Sequence, residues 1–413
     1  MSAAPAHGAL HEIAGAFLKL GFTCFGGPVA HLGYFREEFV RRRAWLEDAA
    51  YGDLVALAQF LPGPTSSQVV FGLGMQRGGL PGALAASLCF TLPSAIVMIL
   101  FGYGVVLAGS VHGTGWLHGL KLAAVAVVAQ AVWGMGRSLC PDRPRLTLAL
   151  LAAALLLLLP GTLAQIGVMI GGTVVGWWLY RGEPAPTAGP ASASAIAQAP
   201  DESHPRTSAG FGPSHVWAIA ALMFFVCLLV LLPPLAAVTD WRFLKVFDGF
   251  FRAGSLVFGG GHVLLPLLRA EVVPPGWVSD ETFLAGYGAA QALPGPLFTF
   301  AGYLGTIMRG GNSAWLGGVW CLLAIFLPVW LLIGGALPFW HQLRARHSVQ
   351  IALRGANAAV VGILLAAFYN PVWLGGVQSG RDAATALAAF ALLQVWRLPP
   401  WAVVLLCAGA GLL

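Results

Sequence analysis

Charged residues are scarce in this chain. Of its 413 residues only 9% are Asp, Glu, Lys or Arg, whereas 58% are hydrophobic. An ordinary soluble domain carries roughly 25% charged residues, so the composition excludes that class. Many apolar runs reach the ~20 residues that a helix needs to cross a bilayer, and they lack the alternation typical of outer-membrane β-strands. The sequence therefore predicts an all-α polytopic membrane protein.

Motifs for enzyme chemistry are also missing. The six cysteines are scattered through apolar runs, with no Cys-x-x-Cys and no pairing with histidine that would indicate a metal site. No catalytic triad, zinc motif, phosphate-binding loop or dinucleotide fingerprint occurs, and no basic patch with interleaved aromatics indicates nucleic-acid binding. We therefore expect no cofactor, no metal, no nucleic-acid partner and no enzymatic activity, and we expect an ion gradient as the energy source.

Two phrases of the sequence each occur twice. Residues 59–77 read Q-F-L-P-G-P-T-S-S-Q-V-V-F-G-L-G-M-Q-R, and 232 residues later the chain reads Q-A-L-P-G-P-L-F-T-F-A-G-Y-L-G-T-I-M-R. The second phrase begins at Phe25 and returns at Phe258, a spacing of 233 residues, and it includes the matched pairs Arg36 with Arg269 and Glu38 with Glu271. Because Arg and Glu are scarce here, these matches indicate a duplication.

The duplication divides the chain into three parts. We predict a first repeat at 1–181, a flexible Pro-, Ala- and Ser-rich linker at 182–213, and a second repeat at 214–413 that starts with one extra transmembrane helix at 215–235. Six apolar segments per repeat plus one extra crossing would turn the second repeat upside down, giving an inverted-topology repeat. The broken segments either span the bilayer or form re-entrant hairpins, and the distribution of arginines favours hairpins.

The first Pro-Gly-Pro break is a predicted anion site. A helix that resumes after Pro64 presents unpaired N–H groups and the positive end of its dipole, which suit an anion. The side chains of Thr65, Ser66 and Ser67 add hydroxyl donors, whereas the second copy keeps only that of Thr299. We therefore predict the primary anion site in the first repeat; the alternative is a simple kink in a packed helix.

Charged and titratable residues within apolar segments are further candidates. Lys121 and Arg354 lie at equivalent positions, 233 residues apart. An intramembrane cation usually faces a cavity or a partner, although snorkelling to the interface is an alternative for each. Candidates for coupling transport to an ion gradient are Glu38, Glu271, His31 and His262. The alternatives are interfacial ion pairs of Arg36 with Glu38 and of Arg269 with Glu271, and satisfied helix histidines.

The paired phrases resemble the chromate ion transporter family in its long, two-domain form. The resemblance rests on F-G-G-P at 25–28 with the following R-E-E, on Q-F-L-P-G-P-T-S-S-Q with M-Q-R-G-G, and on the second-repeat F-G-G-G-H and Q-A-L-P-G-P. It covers nearly the whole chain except the linker. It implies a secondary transporter in the bacterial inner membrane that exports chromate, a sulfate analogue, using the membrane potential or proton gradient, and so confers chromate resistance.

The resemblance also implies site residues and partners. The partners would be a small oxyanion and the lipid bilayer, with a homodimer left open. Two alternatives remain: a carrier of sulfate or another tetrahedral oxyanion, and a membrane-embedded enzyme or scaffold, for which the sequence offers no clustered nucleophile and base. The motif positions carried over by match are Gly26, Gly27, Pro28, Arg36, Gln59, Pro62, Gly63, Pro64, Gly259, Gly260, Arg269, Gln291, Pro294, Gly295 and Pro296.

Overall fold

The computed structural model describes residues 6–107, 115–159, 161–181, 214–257, 261–340 and 347–412. The predicted linker at 182–213 and the predicted site residues Gly259 and Gly260 lie outside the described residues. Within the described ranges the chain is helical and no strand occurs. The predicted all-α class is confirmed.

The described part of the first repeat contains seven α-helices. Its fourth helix loses helical backbone angles at Gly78 and Gly79, so it consists of a short section and a long one. A π-helical segment, Arg36–Arg42, follows the second helix. The helices are α1 (Ala6–Thr23), α2 (Gly27–Phe35), α3 (Asp48–Phe60), α4 (Thr65–Leu107), α5 (Gly115–Leu139), α6 (Arg143–Leu158) and α7 (Thr162–Tyr180).

The second repeat follows the same order after one extra helix, α8 (His215–Val238), which lies where the sequence predicts it. Single 3₁₀ turns at Gly261–Val263 and Leu297–Thr299 precede two of its helices. The remaining helices are α9 (Arg242–Ser255), α10 (Leu264–Val272), α11 (Asp280–Ala290), α12 (Phe300–Arg309), α13 (Ala314–Ala336), α14 (His347–Ala367), α15 (Gly380–Gln394) and α16 (Pro400–Ala410).

Several of these helices are suited to a bilayer. In the described part of the chain, five segments are long and apolar enough to cross a membrane: Thr65–Leu107, Gly115–Leu139, His215–Val238, Ala314–Phe339 and Ile351–Gly376. Large apolar side chains such as Leu100, Val216 and Met223 lie exposed on the outer faces of such helices. Contiguous apolar surface of this kind matches lipid rather than water.

The broken segments of the first repeat return to the end from which they start. The carboxylate of Glu12, near the start of α1, accepts hydrogen bonds from Arg43 Nη1 at 3.4 Å, Trp45 Nε1 at 3.0 Å and Arg77 Nη2 at 3.1 Å. Arg43 follows the first broken segment and Arg77 ends the short section of α4. Since α3 has 13 residues, it is about 20 Å long, short of the ~30 Å hydrocarbon core. Both segments are therefore hairpins.

The second repeat reproduces this arrangement. Arg242, at the start of α9, donates to the Met308 carbonyl at 3.2 Å, and its guanidinium lies 5.6 Å from the ring centre of Trp277. The guanidinium of Arg309, the counterpart of Arg77, lies 5.0 Å from the ring centre of Phe243. The start of the first hairpin and the end of the second hairpin again lie together.

Equivalent long helices of the two repeats run antiparallel. Trp330 Nε1 of α13 donates to Ser87 Oγ of α4 at 2.8 Å, and Tyr103 OH of α4 donates to the Asn312 carbonyl at 2.9 Å. From Ser87 to Tyr103 the contacts advance along the chain, whereas their partners go back from Trp330 to Asn312. Helix α4 and its counterpart α13 therefore run in opposite directions where they pack together.

Near the end of each repeat, helices pack against helices of the other repeat. Helix α5 packs against α15 and α16, and its counterpart α14 packs against α6 and α7. Small residues permit these close approaches: a Cβ added at Gly119 would clash with the Cys407 carbonyl, and one at Gly176 would clash with the backbone of Gly355. Small residues at a helix interface are typical of packing in membranes.

Candidate substrate site

The Pro-Gly-Pro turn of each repeat is hydrogen-bonded to the other repeat. The Gly63 N–H donates to the Val257 carbonyl at 2.6 Å, and the Gly295 N–H donates to the Cys24 carbonyl at 2.8 Å. Cys24 and Val257 follow α1 and α9, where the first hairpin of each repeat breaks. We call the described residues at these breaks, 24–26, 62–64, 257 and 294–296, the central junction.

Glycine is required at the turns of the central junction. Gly63 has φ 126° and Gly295 has φ 93°, in the region that side chains disfavour. A Cβ at Gly63 would lie 2.7 Å from Gln68 Nε2, and one at Gly295 would lie 2.9 Å from Ser94 Oγ. A side chain at Gly63 would therefore displace Gln68 of the same repeat, and one at Gly295 would displace Ser94 of the other repeat.

Four helices begin where the hairpins break, namely α2, α4, α10 and α12. In α4 the first intrahelical bond is from the Gln68 N–H to the Pro64 carbonyl, at 3.0 Å. The N–H groups of Thr65, Ser66 and Ser67 therefore precede that bond, as in the first turn of any helix. The positive ends of these helix dipoles lie at the central junction.

The hydroxyl groups at the two Pro-Gly-Pro turns are used differently. Ser67 is 2% exposed, and its Oγ has no hydrogen-bond partner among the described residues. Thr299 Oγ1, in the second copy, donates to the Pro296 carbonyl at 2.9 Å. Gln68 Nε2 donates to the Pro62 carbonyl at 2.7 Å, which leaves Oε1 of the same amide unpartnered in the described chain. The turn in the first repeat therefore has two polar atoms without a hydrogen-bond partner in the described chain, Ser67 Oγ and Gln68 Oε1.

Both predicted histidines lie on the first hairpins. His31 is buried, with its ring edge-on to Phe90 at 5.7 Å and its Nδ1 without a partner among the described residues. His262 Nδ1 lies 3.0 Å from the hydroxyl of Tyr287. These contacts do not test proton transfer by either histidine, which stays a prediction.

The arginines predicted beside the breaks instead join the two hairpins of each repeat. Arg36 makes two hydrogen bonds of 2.6 Å with Asp48, and Arg269 makes bonds of 2.6 and 2.9 Å with Asp280. Arg36 lies about 13 Å from the start of α2 at 1.5 Å per residue. The hydrogen bonds from Arg36 hold the pKa of Asp48 below its usual range.

The alternative given above, ion pairs of Arg36 with Glu38 and of Arg269 with Glu271, is not what the structure shows. Glu38 pairs with Arg42 at 2.7 Å and with Arg43 at 2.8 Å, and Glu271 pairs with Arg252 at 2.9 Å. Residues two apart on a helix do not face each other. The missed partners Asp48 and Asp280 are separated by 232 residues, so extending the repeat alignment by a few positions would have found them.

The two equivalent intramembrane cations have different neighbours. Lys121, on α5, is 7% exposed, and its Nζ lies 3.8 Å from Glu281 Oε1 on α11. The guanidinium of Arg354, on α14, lies 5.4 Å from the ring centre of Tyr180 at the end of α7. Each cation thus has a partner, and substrate contact by either one stays a prediction.

The other predicted residues lie at or beside the junction turns. Gly26 and Gly27 have φ 94° and 77° at the first break, and Pro28 is in the first turn of α2. Gln59 is exposed at the end of α3, whereas Gln291 Nε2 is buried without a partner among the described residues. Buried positions are Pro64 and Pro296, and half-buried positions are Thr65, Pro62 and Pro294.

No group of three His, Cys, Asp or Glu side chains in the described ranges could hold a metal.

Comparison with known proteins gives consistent matches. The sequence profile of the chromate transporter family matches residues 11–177 and 244–412, once in each repeat. A probable chromate transport protein of Synechococcus elongatus is 27% identical over 98% of this chain and 95% of its own length. Chromate transport proteins of Pseudomonas aeruginosa and Cupriavidus metallidurans are 27% and 26% identical, over 84% and 87% of this chain and 77% and 81% of their own lengths. No solved structure matches. The chain belongs to the chromate transporter family.

Proposed function

We propose that this protein is a secondary active transporter that exports chromate across the bacterial inner membrane. Three relatives that each span 84% or more of the chain are named chromate transport proteins, one of them as a probable one. The observation that carries the proposal is the central junction, where four helices begin and the two repeats meet. Secondary transporters commonly bind substrate at broken helices near the membrane midplane, between their repeats.

The turn after Pro64 is the proposed oxyanion site. An incoming oxyanion would accept hydrogen bonds from the free N–H groups of Thr65, Ser66 and Ser67 and from the uncommitted Ser67 hydroxyl. Helix N-termini favour such ligands by both donors and dipole. The second copy is the weaker site, because the Thr299 hydroxyl is already bonded to Pro296.

The membrane orientation follows from the antiparallel repeats and the basic residues. If α8 crosses the membrane once, the hairpins of the two repeats open to opposite sides, as an inverted-topology repeat requires. Cytoplasmic ends carry an excess of Lys and Arg. The end with the first-repeat hairpins would hold Arg36, Arg41, Arg42, Arg43, Arg77, Arg137, Arg143, Arg145 and Arg181, and the opposite end the smaller set Arg242, Lys245, Arg269, Arg309 and Arg381. The first-repeat end is therefore the proposed cytoplasmic side.

Uptake of labelled chromate into everted membrane vesicles tests this function. We expect accumulation that depends on the protein, collapses on addition of an uncoupler and falls when sulfate competes. Sulfate is the second candidate substrate because the same donors fit any tetrahedral oxyanion. No chromate accumulation in energised vesicles that contain the protein would contradict chromate export, and accumulation of labelled sulfate in the same vesicles would replace it with sulfate transport.

A further inference from the structure

Two carboxylates share one arginine inside the second repeat. Arg252 Nε donates to Asp248 Oδ2 at 3.0 Å, and Arg252 Nη2 donates to Glu271 Oε2 at 2.9 Å. Asp248 is 4% exposed, and the Glu271 side chain is also largely covered. Gly249 makes room for the second carboxylate, because a Cβ there would lie 2.8 Å from Glu271 Oε2. With both acids ionised, this buried group carries a net charge of −1.

In the first repeat the charges at the equivalent positions are different, and the acidic residue is compensated by other cations. Lys19 and Glu38 stand where the second repeat has Arg252 and Glu271, and Gly15 replaces Asp248. The negative charge of Glu38 is compensated by Arg42 and Arg43. The second repeat has no such cations, because its residues equivalent to 41–43 are Pro-Pro-Gly. Thus the excess negative charge exists only in the second repeat, and the duplication itself does not account for it.

Unpartnered polar atoms show that the second-repeat group is incomplete. Asp248 Oδ1 is buried without a hydrogen-bond partner among the described residues. Next to the group, Gln165 of α7 also buries an unpartnered Oε1. A buried carboxylate oxygen without a donor is costly unless the group is protonated or bound to a cation. The arrangement therefore calls for one further positive ligand.

A small cavity gives this group room for a proton carrier. Its volume is about 10 Å³, and its lining includes Gln165 and Met169 of α7, Arg252 of α9, and Leu267 and Glu271 of α10. A cavity of this size can hold a water molecule, which can carry a proton to the group. The cavity lies between the last helix of the first repeat and the first hairpin of the second repeat, since residues of both line it.

No other described charge compensates the group. The helices packed against α9 are α8, α10 and α13; α8 and α13 contain no Asp, Glu, Lys or Arg. On α9 itself Lys245 pairs with Asp240 at 3.4 Å. On α10 the one cation is Arg269, which is engaged by Asp280. Helix α14 packs against α10 and α7, and its Arg354 lies over the ring of Tyr180, at the opposite end of α7 from Gln165. On α7, which also faces the cavity, no charged residue lies between its first and last residues.

We propose that Asp248, Arg252 and Glu271 form the proton-binding site that couples transport to the proton gradient. The proposal rests on the function proposed above. Water in the cavity delivers one proton to a carboxylate oxygen of the pair, which converts that carboxylate to a carboxylic acid and leaves the other paired with Arg252. The group is then neutral. Release of the proton to the opposite side restores the negative charge, so one proton is bound and released per cycle.

Infrared titration of the purified full chain in detergent tests proton binding without any substrate. We expect a carboxylic-acid C=O band that appears between alkaline and acidic buffer and shifts in D₂O. The band should disappear in both Asp248→Asn and Glu271→Gln, since either variant leaves one carboxylate matched to Arg252. Glu37→Gln, at an exposed carboxylate paired with Arg41, is the matched control and should keep the band. A band that persists unchanged in both site variants would overturn the proposal.

Transport in proteoliposomes then separates the site from the function. Asp248→Asn should retain exchange of labelled for unlabelled chromate but lose accumulation driven by an imposed pH gradient. Accumulation equal to that of the unmodified chain would refute proton coupling at this site. Loss of exchange in the unmodified chain would instead contradict chromate transport, while the infrared band still decides the proton site. A requirement for sodium in place of the pH gradient would overturn the proton assignment.

Discussion

The backbone amide of Gly63 donates a hydrogen bond of 2.6 Å to the carbonyl of Val257, across the boundary between the two repeats. Gly295 and Cys24 form the equivalent bond in the opposite sense, at 2.8 Å. Both bonds join backbone atoms at helix breaks, so a movement of one hairpin would act on the other repeat through them. The proposed substrate site is thus built on the contact that would move during alternating access.

Gly63→Ala should impair transport through this contact. The φ of 126° disfavours any side chain, at a cost of about 1–3 kcal/mol for a strained residue, and the added Cβ would lie 2.7 Å from Gln68 Nε2. The initial rate of chromate uptake and the melting temperature of the purified variant measure the effect. Gly134→Ala is the control, because a Cβ there meets nothing within 4 Å. A fully active Gly63→Ala protein would contradict the role assigned to the turn.

Ser67→Ala should raise the KM for chromate more than Thr299→Ala does. A hydrogen bond to a charged group contributes about 1.5–3 kcal/mol, which corresponds to roughly tenfold or more in affinity. The Thr299 hydroxyl is already bonded to Pro296, so its loss should change KM little. Uptake measured over a range of chromate concentrations checks the order. A larger effect of Thr299→Ala would move the primary site to the second repeat.

Arg36→Ala and Asp48→Ala should each lower stability, and the double variant should lower it by less than the sum of the two single effects. The pair is partly exposed, so its coupling energy should be about 1 kcal/mol or less. The pKa of Asp48 is lowered by Arg36; its stabilising contribution is therefore present above the unfolded-state pKa and is lost as pH falls through the lower folded-state pKa. Thermal unfolding across acidic pH measures this loss. Loss of transport in Arg36→Ala alone, with Asp48→Ala active, would instead indicate substrate contact by Arg36.

Much of this architecture could be predicted from the sequence, for identifiable reasons. Pro-Gly-Pro cannot continue a helix, so the breaks at 62–64 and 294–296 follow from local chemistry. The repeat spacing also predicts equivalent elements. The Gly63–Val257 bond could not be predicted, because it joins distant backbone atoms that carry no side-chain signal. The pair of Asp248 with Arg252 follows from their spacing of four residues on one helix. The approach of Glu271 could not be predicted, because it depends on a second helix meeting the first.

Labelling of single cysteines tests the inverted orientation. In a chain without its native cysteines, Glu37→Cys should react from the side opposite to that of Asp240→Cys and Asn312→Cys. Glu37 lies in the π-helical segment that ends the first hairpin of the first repeat, whereas Asp240 and Asn312 lie at the hairpin end of the second repeat. All three residues are exposed. A membrane-impermeant maleimide applied to intact cells and to everted vesicles distinguishes the sides. Labelling of all three from one side would contradict the inverted repeat.

Lys121→Ala should abolish transport while leaving the protein in the membrane. The Lys121 ammonium is buried, and its distance of 3.8 Å to Glu281 is longer than a hydrogen bond, so we expect its charge to serve the oxyanion pathway as well as the carboxylate. The double variant Lys121→Ala with Glu281→Gln removes both charges together. If Lys121 acts on the substrate, the double variant stays inactive; recovery of chromate uptake would reduce Lys121 to a partner of Glu281. Immunoblots of the membrane fraction establish that each variant is present, and Lys121→Arg, which retains the charge, should keep measurable uptake.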